Sequence, residues 1–452
     1  MNRSNVKQIV MQYFRENVKG YAMKRRHFLA NAATQCGVLA AGPAAWAMGE
    51  NRELKQYGSA QLSPTVVDKI GRYSLAELRE FHMKELREHY LGFWDKQGID
   101  WEYGGFYTYY DGDDTIDSEN KEMYYLGRGI WVFSYLYNHF GKNERHIKAA
   151  KMAIDFIFKY CRDENGYWIS EVTRDGKFVT ESVNIYGDMY VAMGLGEYYH
   201  GTGDENARKV AIETCHGVSE RIVSPEYMHL GGHGTGHEPG TKRLGTWQHF
   251  LSVLTPLARY TNDFGVEMFA RMCVRNILER HYRREYGLAF EHLDDLFQPF
   301  LPDPNNNHRF ISSWHSVQAA WMCMDEALRV NDRRMFMDAL ELGRVTLEKC
   351  WFDGDESNLT DLSEPEEKPT TTGDLVWGRL DDAMVFTLLA IEHTHAPWAV
   401  YWFDKVFTRA YERPDLFKRP CLLHHPRRLF FCIDILDHMI TRQGRVSNFF
   451  EG

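Results

Sequence analysis

The 452 residues contain no CxxC pair, no HExxH motif, no excess of positive charge and very little strand-like alternation. Each absence removes something. Without cysteines at ligand spacing, a structural zinc site has no basis in the sequence. A formal net charge of −10 offers no electrostatic footprint for nucleic acid or an anionic membrane surface. Beyond the N-terminal region, no apolar run approaches the roughly 20 residues that span a bilayer. Alternation is confined to pieces such as "GGFYTYY" and "NGYWIS", which read as short hairpins in loops. One stretch, "HLGGHGTGH", spaces His229, His233 and His237 by four. Glycine on both sides denies it a helix, so it reads as a rim loop and no metal site is expected.

The N-terminus carries a targeting pattern. "MKRRHFLANAATQCGVLAAGPAAWA" begins with Lys24, Arg25 and Arg26, continues through Phe28, Leu29 and a modestly apolar stretch, and ends at a small-x-small site, Ala45 to Ala47. This resembles a twin-arginine export signal cut after about Ala47, with Met23 as the expected start. Residues 1–47 are therefore expected to leave, 48–74 to form a linker, and 75–452 to form one domain in an exported, periplasmic protein. Cys36 departs with the signal. Seven cysteines remain, an odd number, mostly inside apolar helical stretches, where buried thiols are expected.

What the sequence does have is helix and aromatic content: 44% hydrophobic residues, 14% aromatic, with 12 Trp and 25 Tyr. Aromatics in that number suit a carbohydrate cleft and equally well fill helical cores. Four segments share one layout of helix, tight polar turn and second helix: "FSYLYNHFGKNERHIKAAKMAIDFI", "GEYYHGTGDENARKVAIETC", "PLARYTNDFGVEMFARMC" and "EALRVNDRRMFMDALELG". Their turns fall near Gly141, Gly203, Asn262 and Asn331, with a fifth near His395. The helix "LAELREFHMKELREHYLGFW" and the last helix, from Pro426, close a sixth unit. Helical hairpins repeating about every 60 to 70 residues must bury one face on their neighbours. The expectation is an all-α fold, an (α/α)6 barrel with small β-hairpin loops at its rim.

Polar residues recur in phase with this repeat. Near the start of the first helix in each unit stand Arg128, Asp188, His249, His315 and Asp381, and His424 falls at the start of the last. In a closed ring, equal phase means equal height, so these groups are expected to converge at one end. Ser313 and Thr246 are better caps by chemistry, leaving His315 and His249 free for another role. In "LHHPRRLF", Pro426 marks a first helical turn. His424 and His425 thus sit at a helix mouth, where the dipole disfavours imidazolium and a neutral imidazole suits proton transfer.

The sequence resembles the N-acylglucosamine 2-epimerase family across residues 75–445. "FWDKQGIDWEYGGFYTYYDGD" is similar to the family's opening stretch, "GRGIWVFSYLY" to its arginine–tryptophan helix, and "LGEYYHGTGD" to its "EYY…TGD" turn. His424, Pro426, Arg427 and Leu429 match an "H-x-P-R-x-L" signature. The resemblance implies an (α/α)6 barrel that epimerises or isomerises reducing sugars through a cis-enediolate. His315 and His424 would be acid/base residues, His249 a third active-site histidine, and Arg128, Asp188, Gln318, Trp377, Asp381 and Arg427 substrate-binding. No cofactor, metal or nucleotide is implied. The chain is expected to act on a small carbohydrate as a monomer or homodimer. It departs from the family's "H-x-x-E" pattern at Ser252 and Gln318, and "DLVWGRLDD" offers only Asp374, Trp377 and Asp381 for "K-x-W-W-x-x-x-E".

Two other readings remain open from the residues. A glycoside hydrolase or lyase needs paired carboxylates, for which Asp188 with Asp381, or Glu291 with Asp294, are candidates. A degenerate sugar-binding homologue is the other, suggested by Ser252 and Gln318.

Overall fold

The computed structural model describes residues 66–110, 116–164, 166–180, 185–223, 241–301, 309–353, 358–369, 377–412, 421–447 and 449–451. All of them belong to one compact unit, Ser63–Gly452. The expected signal, most of the expected linker, the loop with His229, His233 and His237, and Asp374 lie outside the described residues. Inside the expected linker, Lys69–Ile70 pairs with Tyr73–Ser74 as a hairpin, and Ile70 is buried.

Twelve α-helices are described. In chain order they are α1 Leu75–Lys84, α2 Met123–His139, α3 Glu144–Tyr160, α4 Ile185–Thr202, α5 Glu205–Val223 and α6 Leu244–Thr261. Then follow α7 Phe264–Arg275, α8 Ser313–Val330, α9 Arg333–Cys350, α10 Trp377–Thr394, α11 Pro397–Tyr411 and α12 His424–Thr441. A wider-wound segment, Glu85–Leu91, prolongs α1. The five expected turns are all present. Gly141, Gly203, Asn262, Asn331 and His395 each adopt positive φ, the left-handed geometry that ends a helix and reverses the chain.

Even-numbered helices form an inner ring and odd-numbered ones an outer ring. The inner helices are surrounded, so their sequences are apolar on nearly every face, and Ile185–Tyr198 of α4 is buried throughout. At the closest crossing, a Cβ on Gly127 would lie 2.3 Å from the Tyr190 backbone, and one on Gly194 2.6 Å from the Gly127 carbonyl. Only glycine lets α2 and α4 approach so nearly. The ring closes between its first and last members, where Tyr135 of α2 stacks on Phe430 of α12 with centroids 4.9 Å apart. The barrel is thus a true toroid, (α/α)6, as the repeat implies.

Short left-handed turns join the first five inner helices to the outer helices that follow. The long connections all lead into inner-helix starts, and some of their short strands pair, among them Thr241–Arg243 with His292–Asp294 across α6 and α7. Every phase-matched polar residue therefore sits at the end where the long connections gather. No described helix is long and apolar enough to cross a membrane. The seven described cysteines are free thiols, and all but Cys421 are buried.

Candidate active site

Six inner helices begin at one end of the ring, so six sets of unpaired backbone N–H groups converge there. His249 of α6 and His315 of α8 face each other edge to face, with ring centroids 5.8 Å apart. The His424 ring, at the first position of α12, lies 4.8 Å from Trp314. Almost everything around them is sealed. Against that background the His315 and His424 side chains keep 18% and 17% of their surface, which leaves each open to a small molecule.

Each of these two histidines is held from behind by its own buried carboxylate. His315 Nδ1 lies 2.9 Å from Glu291 Oε2, whose other oxygen accepts from Arg243 Nε at 2.7 Å. His424 Nδ1 lies 3.2 Å from Asp382 Oδ2. Asp382 also accepts from Trp314 Nε1 at 2.8 Å, Gln318 Nε2 at 2.7 Å, Trp321 Nε1 at 3.1 Å and Arg427 Nη2 at 2.6 Å. At His315 the carboxylate, which only accepts, fixes an imidazole proton on Nδ1, whereas His424 Nδ1 also lies 3.3 Å from both Arg427 Nη2 and Gln318 Nε2. Burial works against charge on Glu291, but His315 and Arg243 hold its carboxyl well below the usual range. Asp382 is likewise held low, against its burial, by Arg427 and His424.

Two of these histidines, His424 and His249, are held toward the neutral form. Burial is the main cause for His424, pushed down to about 4, with Asp382 opposing and Arg427 and Arg128 adding to the effect. Burial and the neighbouring His315 also hold His249 well below its ordinary value. His249 Nδ1 is 2.6 Å from the Gly245 carbonyl, one turn back. Gly245 has a second function, because a Cβ there would lie 2.9 Å from His315 Cε1 and 3.2 Å from Glu291 Oε1.

Arg128 of α2 is buried and lies between two tyrosines. Its guanidinium sits 3.7 Å from the Tyr124 ring centre and 4.1 Å from that of Tyr190, and donates to both hydroxyls. Gln318 joins the floor, its Oε1 accepting from Gln248 Nε2 at 2.9 Å. Arg427 is buried over Trp321. Arg128, His249, His315, Gln318, His424 and Arg427 are thus brought together.

Two expected members are turned away. Asp188 faces outward and pairs with Arg221 of α5 at 2.8 Å. It stands two residues from both Tyr186 and Tyr190, whose rings approach His249, and two residues on a helix is about 200° of rotation. Asp381 pairs with Arg428 at 3.0 Å in a sealed network with Glu85. Its neighbour Asp382, about 100° around the helix, takes the inward place. Trp377 opens α10, but its side chain lies outside the described residues. The cap of α8 is Ser312, which accepts from His315 N, while Ser313 binds Asp361 and Thr246 lies inside α6.

Asp382 and Glu291 are the residues that the spacing did not place. The adjacent aspartates of "RLDD" signalled that one would face inward without saying which. Glu291 stood out in the sequence only as a carboxylate paired with Asp294, with nothing to link it to His315. Of the carboxylates named for hydrolysis, Asp188 and Asp381 are turned away, Asp294 accepts from the backbone of Leu296 and Gln298, and Glu291 backs His315. Among the described residues, no three His, Cys, Asp or Glu gather into a metal-binding group.

The family profile of N-acylglucosamine 2-epimerase (GlcNAc 2-epimerase) matches residues 104–410. The chain belongs to this family. It is 22% identical to the mouse N-acylglucosamine 2-epimerase over 326 residues, 70% of this chain and 76% of that protein. The cellobiose 2-epimerase of Bacillus thermoamylovorans superposes with a TM-score of 0.66 at 20% identity, covering 80% of this chain and 99% of the other. A D-mannose isomerase superposes at 0.65 with 14% identity, covering 80% and 97%. These likenesses show the fold, and the named relatives are isomerase-class enzymes acting on carbohydrates.

Proposed function

We propose that this protein epimerises or isomerises a reducing sugar by moving a proton at C2, with His315 and His424 as acid and base and no cofactor. The observation that carries this reading is the pair of part-open imidazoles at one end of the ring, each with Nδ1 backed by a separate buried carboxylate. That arrangement suits proton transfer, because a neutral imidazole near the reacting carbon is a competent base at neutral pH.

The open-chain sugar presents its carbonyl at C1. The Nε2 lone pair of one histidine takes the C2 proton, the C–H electrons form the C1=C2 bond, and the carbonyl pair moves onto O1. The resulting cis-enediolate carries negative charge on oxygen. Arg128 and the converging helix starts favour that charge where water is largely excluded. Return of a proton to C2 from the other histidine, which has first taken one up from solvent on Nε2 and stands on the opposite face, inverts the centre, restores the carbonyl at C1 and leaves that ring neutral. Delivery to C1, with loss of the proton on O2, gives the ketose instead. A single base serves one face only, so two histidines are what epimerisation asks for.

The twin-arginine-like stretch supports a second proposal, that the chain is exported and acts on carbohydrate outside the cytoplasm. N-terminal sequencing of the secreted protein would then begin near Met48.

Incubation with reducing mono- and disaccharides in deuterated water tests the chemistry. The proposal expects deuterium at C1 or C2. A hydrolase would release new reducing ends without exchange, and a binding protein would do neither.

A further inference from the structure

We infer that Glu291, carried on the connection into α8 beside its paired strand Thr241–Arg243 and clamped by Arg243, is the positioning residue that fixes the tautomer and basicity of His315. The inference rests on the proton-transfer reading above and names the group by which one of its two imidazoles is set.

The local structure is built to hold that carboxylate still. Arg243 pairs with His292 in the antiparallel register, and Leu244 N donates to the Glu291 carbonyl at 2.8 Å. Glu291 N donates in turn to the Phe310 carbonyl at 2.9 Å. The residue is therefore stitched to the entry of α6, which carries His249, and to the entry of α8, which carries His315. Its side chain is equally constrained, one oxygen on Arg243 and the other on His315, with 1% of the residue exposed. Gly245 supplies the space for this contact.

The position one turn after His315, from which a helix could supply its own partner, holds Gln318, and its amide is committed to Asp382. A carboxylate at 318 would face Asp382 across 2.7 Å, and like charges that close do not both ionise in a buried site. The connection into α8 resolves this conflict by bringing the anion from the other side. The two histidines are consequently unequal: His424 shares Asp382 with four other donors, whereas His315 shares Glu291 with Arg243.

The charged and titratable groups around His315 are Glu291, Arg243 and His292 at the paired connections and His249 of α6. Asp361 and Arg379 lie at its helix start, and beyond Gln318 come Asp382, His424 and Arg427. Of these, Glu291 alone is in hydrogen-bond contact with the ring.

The test uses Glu291→Gln and Arg243→Met in the intact protein, each checked for an unchanged fold by circular dichroism. With Glu291→Gln, kcat for sugar conversion is expected to fall about 10- to 100-fold with KM little changed. The acid limb of the pH–rate profile should move to lower pH, because the imidazolium loses its anion. With Arg243→Met the limb should move the other way, since a nearby cation is removed. Opposite displacements are not what loosened packing gives. Nitrogen-15 spectra of the His315 ring read the same point without substrate: Nδ1–H in the wild type, a mixture of tautomers in Glu291→Gln. Unchanged kcat and limb positions in both variants, or an unchanged Nδ1–H signal, would overturn the inference. If the wild type converts no sugar, the proton-transfer reading fails, and the nitrogen spectra still decide whether Glu291 positions the ring.

Discussion

His424 and His425 are adjacent, chemically identical, and placed in opposite situations. His424 faces the end of the ring with part of its surface open and Asp382 behind it. His425, about 100° further round α12, is buried in the wall. There its Nε2 lies 3.3 Å from Glu85, beside Arg428 and Asp381. Arg428 is fully buried and donates to Glu85, Asp381 and Tyr411. Burial and Arg428, with Glu85 opposing, push His425 down to about 3. Both rings are neutral for the same first reason, yet both nitrogens of His425 are engaged within the wall, Nδ1 3.3 Å from Arg428 Nη2 and Nε2 3.3 Å from Glu85. Neither residue type nor titration distinguishes the two; the partners of the second ring nitrogen do.

The contrast is sharpened most by removing the reactive side. His424→Ala and His315→Ala are each expected to lower deuterium exchange by at least about 10²–10⁴-fold, the usual contribution of a positioned acid or base, while thermal melting stays near the wild type. Exchange at the wild-type rate in both would remove the mechanism. The converse substitution, His425→Asn, should cost about 1–3 kcal/mol in urea unfolding by leaving buried partners unsatisfied, with exchange within a few-fold of the wild type.

Smaller effects follow from geometry. Gly245→Ala inserts a methyl group 2.9 Å from the His315 ring and should lower kcat about 10- to 100-fold by displacing it. Gln318→Glu places a second carboxylate against Asp382, so one of the two takes up a proton in the folded state. A carboxyl with its folded pKa raised contributes stability that is present below its unfolded value and lost as pH rises through the folded one. The variant should therefore melt progressively lower, relative to the wild type, as pH rises from about 4 toward neutrality.

Much of this was legible beforehand. The turns at Gly141, Gly203, Asn262, Asn331 and His395 set the repeat, the repeat set the toroid, and equal phase put Arg128, His249, His315 and His424 at one level. Phase along a barrel axis does not give azimuth. That is why Asp188 was expected inside and faces Arg221, and why Asp381 was expected in the inward place that Asp382 takes: one residue of register turns a side chain by about 100°. Glu291 was out of reach for another reason. Its contact with His315 spans 24 residues and depends on how the connection into α8 pairs with the strand before α6, which no local period encodes.

The central claim is that one of two neighbouring histidines moves a proton and the other holds a wall. Solvent deuterium incorporation into a converted reducing sugar, measured for the wild type, His424→Ala and His425→Asn side by side, tests it most directly. The account predicts label at C1 or C2 with the wild type and His425→Asn, and none with His424→Ala. Label from His424→Ala at the wild-type rate, or its loss only in a folded His425→Asn, would contradict it.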